Sequence, residues 1–208
     1  MIKSFLKKKI RENKGFTLIE LLVTIVIFVI LTGIVLFNQS GFNNGIILRN
    51  LAYDIVLNIK QVQTYGIAVK ESQTLTGSAF SSYGIHFNLE SLESSKNFIL
   101  FADNNSNGKF DGDRGCPVGD SECIQRYTIS RGSYISKICI GTNPLCSNNT
   151  NEMTIFFKRP NPDAIMIYRI GSNDDLVSAY SRIIVSSADN SATTSVVITS
   201  AGQIYVGN

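Results

Sequence analysis

Counted from Asp103, the stretch DNNSNGKFDGD places oxygen-bearing side chains at its first, third, fifth and ninth positions, as Asp103, Asn105, Asn107 and Asp111. Gly108 is sixth. This is the opening of an EF-hand-type calcium loop, in which the sixth residue allows a sharp turn and the seventh, here Lys109, gives a backbone oxygen. The twelfth position holds Arg114 instead of a bidentate Glu. Calcium takes six to eight oxygens, so Asp113, Asp120 or Glu122 has to complete the shell, and a modest affinity is expected. The plainer expectation is a polar turn after the candidate strand FILFA, because Asn, Asp and Gly favour turns through their own side-chain and backbone chemistry.

Other chemistry finds thinner support. His86 is the one histidine and sits in the alternating run YGIHF, where an outward strand position accounts for it. A serine triad would need that single His, and there is no G-x-S-x-G elbow, H-E-x-x-H pair or phosphate-cradling glycine loop, so no enzyme is expected. Lys158, Arg159, Arg169 and Arg182, with Tyr168 and Tyr180 for stacking, are the residues a nucleic-acid patch would use. Four charges spread over 25 residues read more simply as a solvated sheet face, and no nucleic-acid partner is expected. Cys116, Cys123, Cys139 and Cys146 allow three pairings. Six residues separate the members of each close pair, so Cys116 with Cys123 and Cys139 with Cys146 is the first expectation. A zinc site is the rival, but it wants CxxC spacing or a nearby His.

The most constrained charge lies elsewhere. From Phe16 to Phe37 there are 22 residues whose only charge is Glu20. As a helix this run is about 33 Å long, enough for the roughly 30 Å hydrocarbon core of a bilayer. An acid in hydrocarbon costs on the order of 2.5 kcal/mol or more and is tolerated when it finds a partner. No base follows Gly15 nearby. Cutting between Gly15 and Phe16 would create an α-amino group at membrane depth, and in a bundle of identical helices the amine of one subunit can neutralise Glu20 of its neighbour.

The elements around these residues divide the chain into a basic leader (1–15), a transmembrane helix (16–37), an amphipathic extension of that helix (38–70) and a β-rich domain (71–208). The leader carries +5, and without it 13 basic and 15 acidic side chains remain, so the body is no polybasic nucleic-acid binder. Lys and Arg beside a membrane helix stay cytoplasmic, which puts the body outside, where disulfides persist. A cleaved secretory signal is the competing reading. The apolar run is too long for it, and no A-x-A-like site follows.

NQSGFNNG after Phe37 predicts a bend or thin spot. From Ile46 onward Leu48, Leu51, Ile55, Ile59, Val62 and Val69 recur at helical period, with a seven-residue step across Gly66, while Arg49, Asp54, Asn58, Lys60 and Gln63 take other faces. That stripe suits packing on a sheet better than a coiled coil. Beyond Lys70 the texture predicts nine strands: 83–87, 97–102, 124–129, 134–140, 153–157, 165–170, 181–186, 194–199 and 203–206, the last two a closing hairpin. The fold class expected is α+β.

KG followed by FTLIE and an apolar run resembles the processing signature of type IV prepilins and pseudopilins. The phrases FFKRPNP and SVVITSAGQIYV extend the likeness to H-type minor pseudopilins and FimT-like minor pilins. The resemblance implies a pilin fold, with the long helix packed on two small antiparallel sheets. It implies a membrane aspartyl peptidase that cuts after Gly15 and methylates the Phe16 amine, and Glu20 as the assembly residue five positions after the cut. The implied partners are that prepilin peptidase, other pilins or pseudopilins, an inner-membrane assembly platform with its cytoplasmic ATPase, and membrane lipid. The implied place is a single pass through the inner membrane, leader inside and body outside, then an extracytoplasmic filament. H-type pseudopilins carry a similar DxNxNG phrase after a strand, so the acidic stretch reads equally as a shared turn.

Overall fold

The structure, a computed structural model, describes residues 15–37, 39–68, 82–120, 122–141, 148–170 and 176–207. It divides into two units, Met1–Ser40 and Gly41–Asn208. In the first, helix α1 spans Leu18–Phe37. Its apolar side chains are exposed along its length, and by length and composition the segment Leu18–Leu36 can cross a membrane. The Thr24 and Thr32 hydroxyls donate to the carbonyls of Leu21 and Phe28, so both are satisfied within the helix.

Helix α2 spans Gln39–Ile67. Of the stretch expected to bend or thin, the Gly- and Asn-rich segment from Gln39 to Gly45 is helical, while Asn38 lies outside the described residues. One reason is a long-range contact: the Asn44 side-chain amide donates to Asp189 Oδ2 (3.0 Å) and Ser191 Oγ (3.1 Å), which clips this end of α2 to a turn between two strands. Leu48, Ile55, Ile59 and Val62 are buried with Ala52 and Val56, two small or branched residues that widen the expected stripe. Val69 lies outside the described residues.

Eleven strands are seen among the described residues: β1 Ser82–Asn88, β2 Asn97–Asp103, β3 Cys123–Thr128, β4 Tyr134–Gly141, β5 Asn148–Thr150, β6 Glu152–Phe157, β7 Ala164–Arg169, β8 Leu176–Ser178, β9 Tyr180–Ser186, β10 Thr193–Thr199 and β11 Ile204–Gly207. They form two antiparallel sheets, of order β3-β2-β1-β6-β7-β8 and β11-β10-β9-β4-β5. The last hairpin pairs Val196 with Val206 and Val197 with Tyr205. One apolar cluster joins the inner stripe of α2 to both sheets, through residues such as Ile85, Leu100 and Ile155 on one and Ile138, Ile183 and Val196 on the other. The Gln63 amide ties the helix to both, donating to Pro162 O (2.9 Å) and Gly202 O (3.1 Å). The chain is therefore α+β.

Candidate functional site

Two places carry the candidate residues, the start of α1 and the outer face of the six-stranded sheet. Gly15, Phe16 and Thr17 precede the helix, and Thr17 caps it: the Glu20 amide donates to Thr17 Oγ1 (3.3 Å) and the Leu21 amide to Thr17 O (3.1 Å). Thr17 and Glu20 thus stand at the cap and third position of a T-x-x-E start, where an acid also suits the positive end of the helix dipole. Sequence reasoning missed this second use of Glu20, although the T-x-x-E spacing signals it. Phe16 and the apolar residues around Glu20 are exposed, and residues 15–37 contain no base.

On the sheet, strand alternation sends Tyr83, Ile85 and Phe87 to the core and Gly84 and His86 to the opposite face. That face is roofed. The loop after β2 lays Phe110 against His86 and Phe101, with ring centroids 5.5 Å apart in each case. Gly108, at φ +75°, lies so close to the Phe156 ring that a Cβ there would meet it at 2.8 Å. His86 therefore points outward as its alternation predicts, yet it is only 4% exposed.

The loop closes on itself. The buried Asp103 carboxylate accepts the amides of Asn107 (3.0 Å) and Gly108 (2.9 Å). The side-chain amides of Asn105 and Asn107 both donate to Asp111 Oδ2, and the Lys109 amide donates to Asn107 Oδ1. Asp113 belongs to the next turn: its amide donates to Asp120 Oδ2 (2.7 Å) and its Oδ1 accepts the Gly115 amide. Burial alone would raise the Asp120 carboxyl, but the amides of Cys123, Glu122 and Asp113 hold it below the usual range. The acid that faces the loop is Glu122, whose Oε2 accepts the Asp111 amide (2.8 Å). Burial pushes its carboxyl up, and the nearby Asp111 and Asp103 charges add to that. Among the described residues no three His, Cys, Asp or Glu side chains converge as a metal site. An ion here would have to displace two amide donors from Asp111 and draw on Glu122 in place of Asp113.

Burial holds the His86 imidazole down to about 4, and the Arg114 guanidinium adds to it. Glu152 stands 3.7 Å from Nε2 but shares its carboxylate with Arg169 at 3.6 Å, which blunts its pull. Thr154 Oγ1 lies 3.0 Å from Nδ1. Between an unfolded value of 6.5 and the folded value, the unfolded chain binds a proton that the native chain refuses. This stability is complete above pH 6.5 and is lost as pH falls toward 4, in all about 3 kcal/mol at 1.36 kcal/mol per pH unit. Thermal melts of the full chain in detergent should fall between pH 7 and pH 4.5, with a smaller fall for His86→Gln.

Cys116 and Cys123 are joined in a disulfide with Cα atoms 5.5 Å apart, closing the base of the second turn. Cys139 is disulfide-bonded as well, while Cys146 lies outside the described residues. The four cations do not share one patch. Lys158 and Arg159 follow the C-terminal end of β6, whereas Arg169 faces Glu152 at its other end. Arg182 is on the second sheet, opposite Val197 and Cys139. Tyr180 is buried, with no face free for stacking, and Tyr168 is half-buried.

Comparison with known proteins bears on the first of these two places. Residues 10–36 match the family described as the prokaryotic N-terminal methylation motif. No curated protein and no solved structure matches the chain. The motif supports a type IV pilin-like subunit, a structural component of a filament, and implies processing by a prepilin peptidase and assembly with other pilins. The apolar helix fits the single-pass anchor of such proteins.

Proposed function

We propose that the chain is a prepilin-like filament subunit, either a minor pseudopilin of a type II secretion system or a minor pilin of a type IV filament. It is cut after Gly15, methylated at Phe16 and held in the inner membrane by α1 until the assembly platform and its ATPase draw it into the filament. Glu20 then pairs with the Phe16 amine of a neighbour, and the β-rich unit, outside the membrane, meets sibling subunits or cargo. One observation carries this reading. The only charge of an apolar 22-residue run lies five residues after a Gly15–Phe16 bond, inside the stretch that matches the methylation motif. Mass spectrometry of the membrane-extracted protein should find an N-terminus at methylated Phe16, with four cysteines lighter by four hydrogens. A protein that keeps residues 1–15 in its own cells sinks the reading.

For the loop from Asp103 to Asp113 we infer the role of a closed turn that roofs the outer sheet face. Its amides already satisfy Asp103 and Asp111. Millimolar calcium should leave the melting temperature of the full chain in detergent where a chelator leaves it. A rise of several degrees would establish a calcium site instead.

A further inference from the structure

Among the described residues, strand β3 is the edge of the six-stranded sheet and pairs with β2 alone. The Ile129 amide donates to Lys96 O (2.7 Å) just beyond the last pair, Asn97 with Thr128. That bond makes Asn97–Thr128 a pair whose own N–H and C=O groups do not bond each other. Because bonded and non-bonded pairs alternate in an antiparallel ladder, Ile99–Arg126 is another. The backbone N–H and C=O groups of Arg126 and Thr128 therefore point out of the sheet edge. Gln125, Arg126 and Thr128 are exposed there, and Ile124 is 42% exposed.

The side chains add a second feature. Arg126, Ile99 and His86 stand in one cross-strand row, on the face roofed by the loop. Beside them a cavity of about 260 Å³ is lined by His86, Asn97, Arg114 and Arg126, with Ser94 and Glu93 on its wall. Arg114 is engaged by Glu90 at 3.1 Å. Arg126 has no hydrogen-bond or ion-pair partner among the described residues. A charge on an edge strand is often a guard against strand addition. A guard needs only solvent, whereas this guanidinium lines a recess with polar walls, on a strand whose main-chain groups at positions 126 and 128 point away from β2.

We propose that β3 accepts an extended segment of a partner protein as a seventh strand, with an acidic side chain opposite Arg126 whose carboxylate enters this cavity. The open edge gives main-chain hydrogen bonds. Arg126 gives the choice of side chain through a charge-assisted bond, and a residue directly opposite it lies about 5 Å away on the same face. Neither feature depends on the filament reading.

The probe is a peptide blocked at both ends, Thr-Val-Thr-Glu-Thr-Val-Thr, added to the full chain in detergent micelles. It should bind at submillimolar concentration and slow hydrogen exchange at the Arg126 and Thr128 amides. A Gln version should bind about tenfold or more weakly, and Arg126→Glu should shift preference to a Lys version. Four results overturn the proposal: no binding at millimolar peptide, equal binding of the Glu and Gln versions, glutarate competing fully without amide protection, or self-association on Arg126→Ala. The third would mark a small-carboxylate site and the last a guard residue. Because Arg126 is exposed on an edge, its replacement leaves the core packing untouched.

Discussion

Replacing Glu20 by Gln should leave the protein inserted and processed while its recovery in sheared filaments falls by at least tenfold. The acid is costly in hydrocarbon, on the order of 2.5 kcal/mol or more, so the neutral variant should enter the membrane more easily. In the proposed bundle, where Glu20 pairs with the Phe16 amine of a neighbour, the balance reverses. Removing one partner of a desolvated pair leaves the amine of the neighbouring Phe16 buried without a mate, a loss of about 3 kcal/mol at each such contact. Each 1.4 kcal/mol is a factor of ten, so assembly suffers even when half of that loss is relieved. Gln is the informative substitute because Thr17 caps the helix through the backbone amide of residue 20, and that bond survives the change. Leu should give the same defect. Gly15→Ala, which blocks the cut itself, should leave an unprocessed protein that never reaches the filament. If the Gln variant assembles as well as Glu20, the buried pair is not what sets register, and the role of the Glu20 charge reduces to its place at the positive end of its own helix.

Much of this was legible in the residues, and the parts that were not share a cause. The nine strands expected from β-branched and aromatic runs are all present, because such residues suit a pleated strand whether one face is buried or, as in β1 and β2, both. The two strands missed, β5 and β8, are three residues long. Asn-Asn-Thr has the composition of a turn, and pairing with Ile138–Ile140 of β4 makes it a strand. Tertiary context likewise overrode propensity between Gln39 and Gly45, where the Asn44 clip to Asp189 and Ser191 holds residues that weaken helices in isolation. Alternation gives the direction of His86 but not its environment, since nothing in YGIHF announces that Phe110 folds over it. The acidic stretch points to Glu122 as one of three helpers, but its place beside Asp111 depends on the return of the chain into β3.

The same division between local signal and long-range contact predicts opposite outcomes for one substitution at two positions of α2. Gly→Ala in a helix interior is ordinarily favourable by about 1 kcal/mol. At Gly45 a Cβ would meet nothing within 4 Å, so Gly45→Ala should raise the melting temperature by a few degrees. At Gly66 the added Cβ would stand 2.6 Å from Phe157 O and 2.7 Å from Phe157 Cβ. Neither atom is the free end of a flexible side chain, and Phe157 is itself held in β6 between β1 and β7. The helix has to move off the sheet by most of an ångström, which loosens the contacts of Val62 and Ile59 with the core. Overpacking of this kind costs about 3 kcal/mol after the propensity gain, and at roughly 3 °C per kcal/mol for a unit of this size Gly66→Ala should melt about 9 °C lower. The seven-residue step in the apolar stripe was the visible trace of that contact: where α2 comes closest to β6, the helix carries no side chain at all. Equal melting temperatures for the two alanine variants, measured on the full chain in detergent, would show that α2 does not approach β6 this closely.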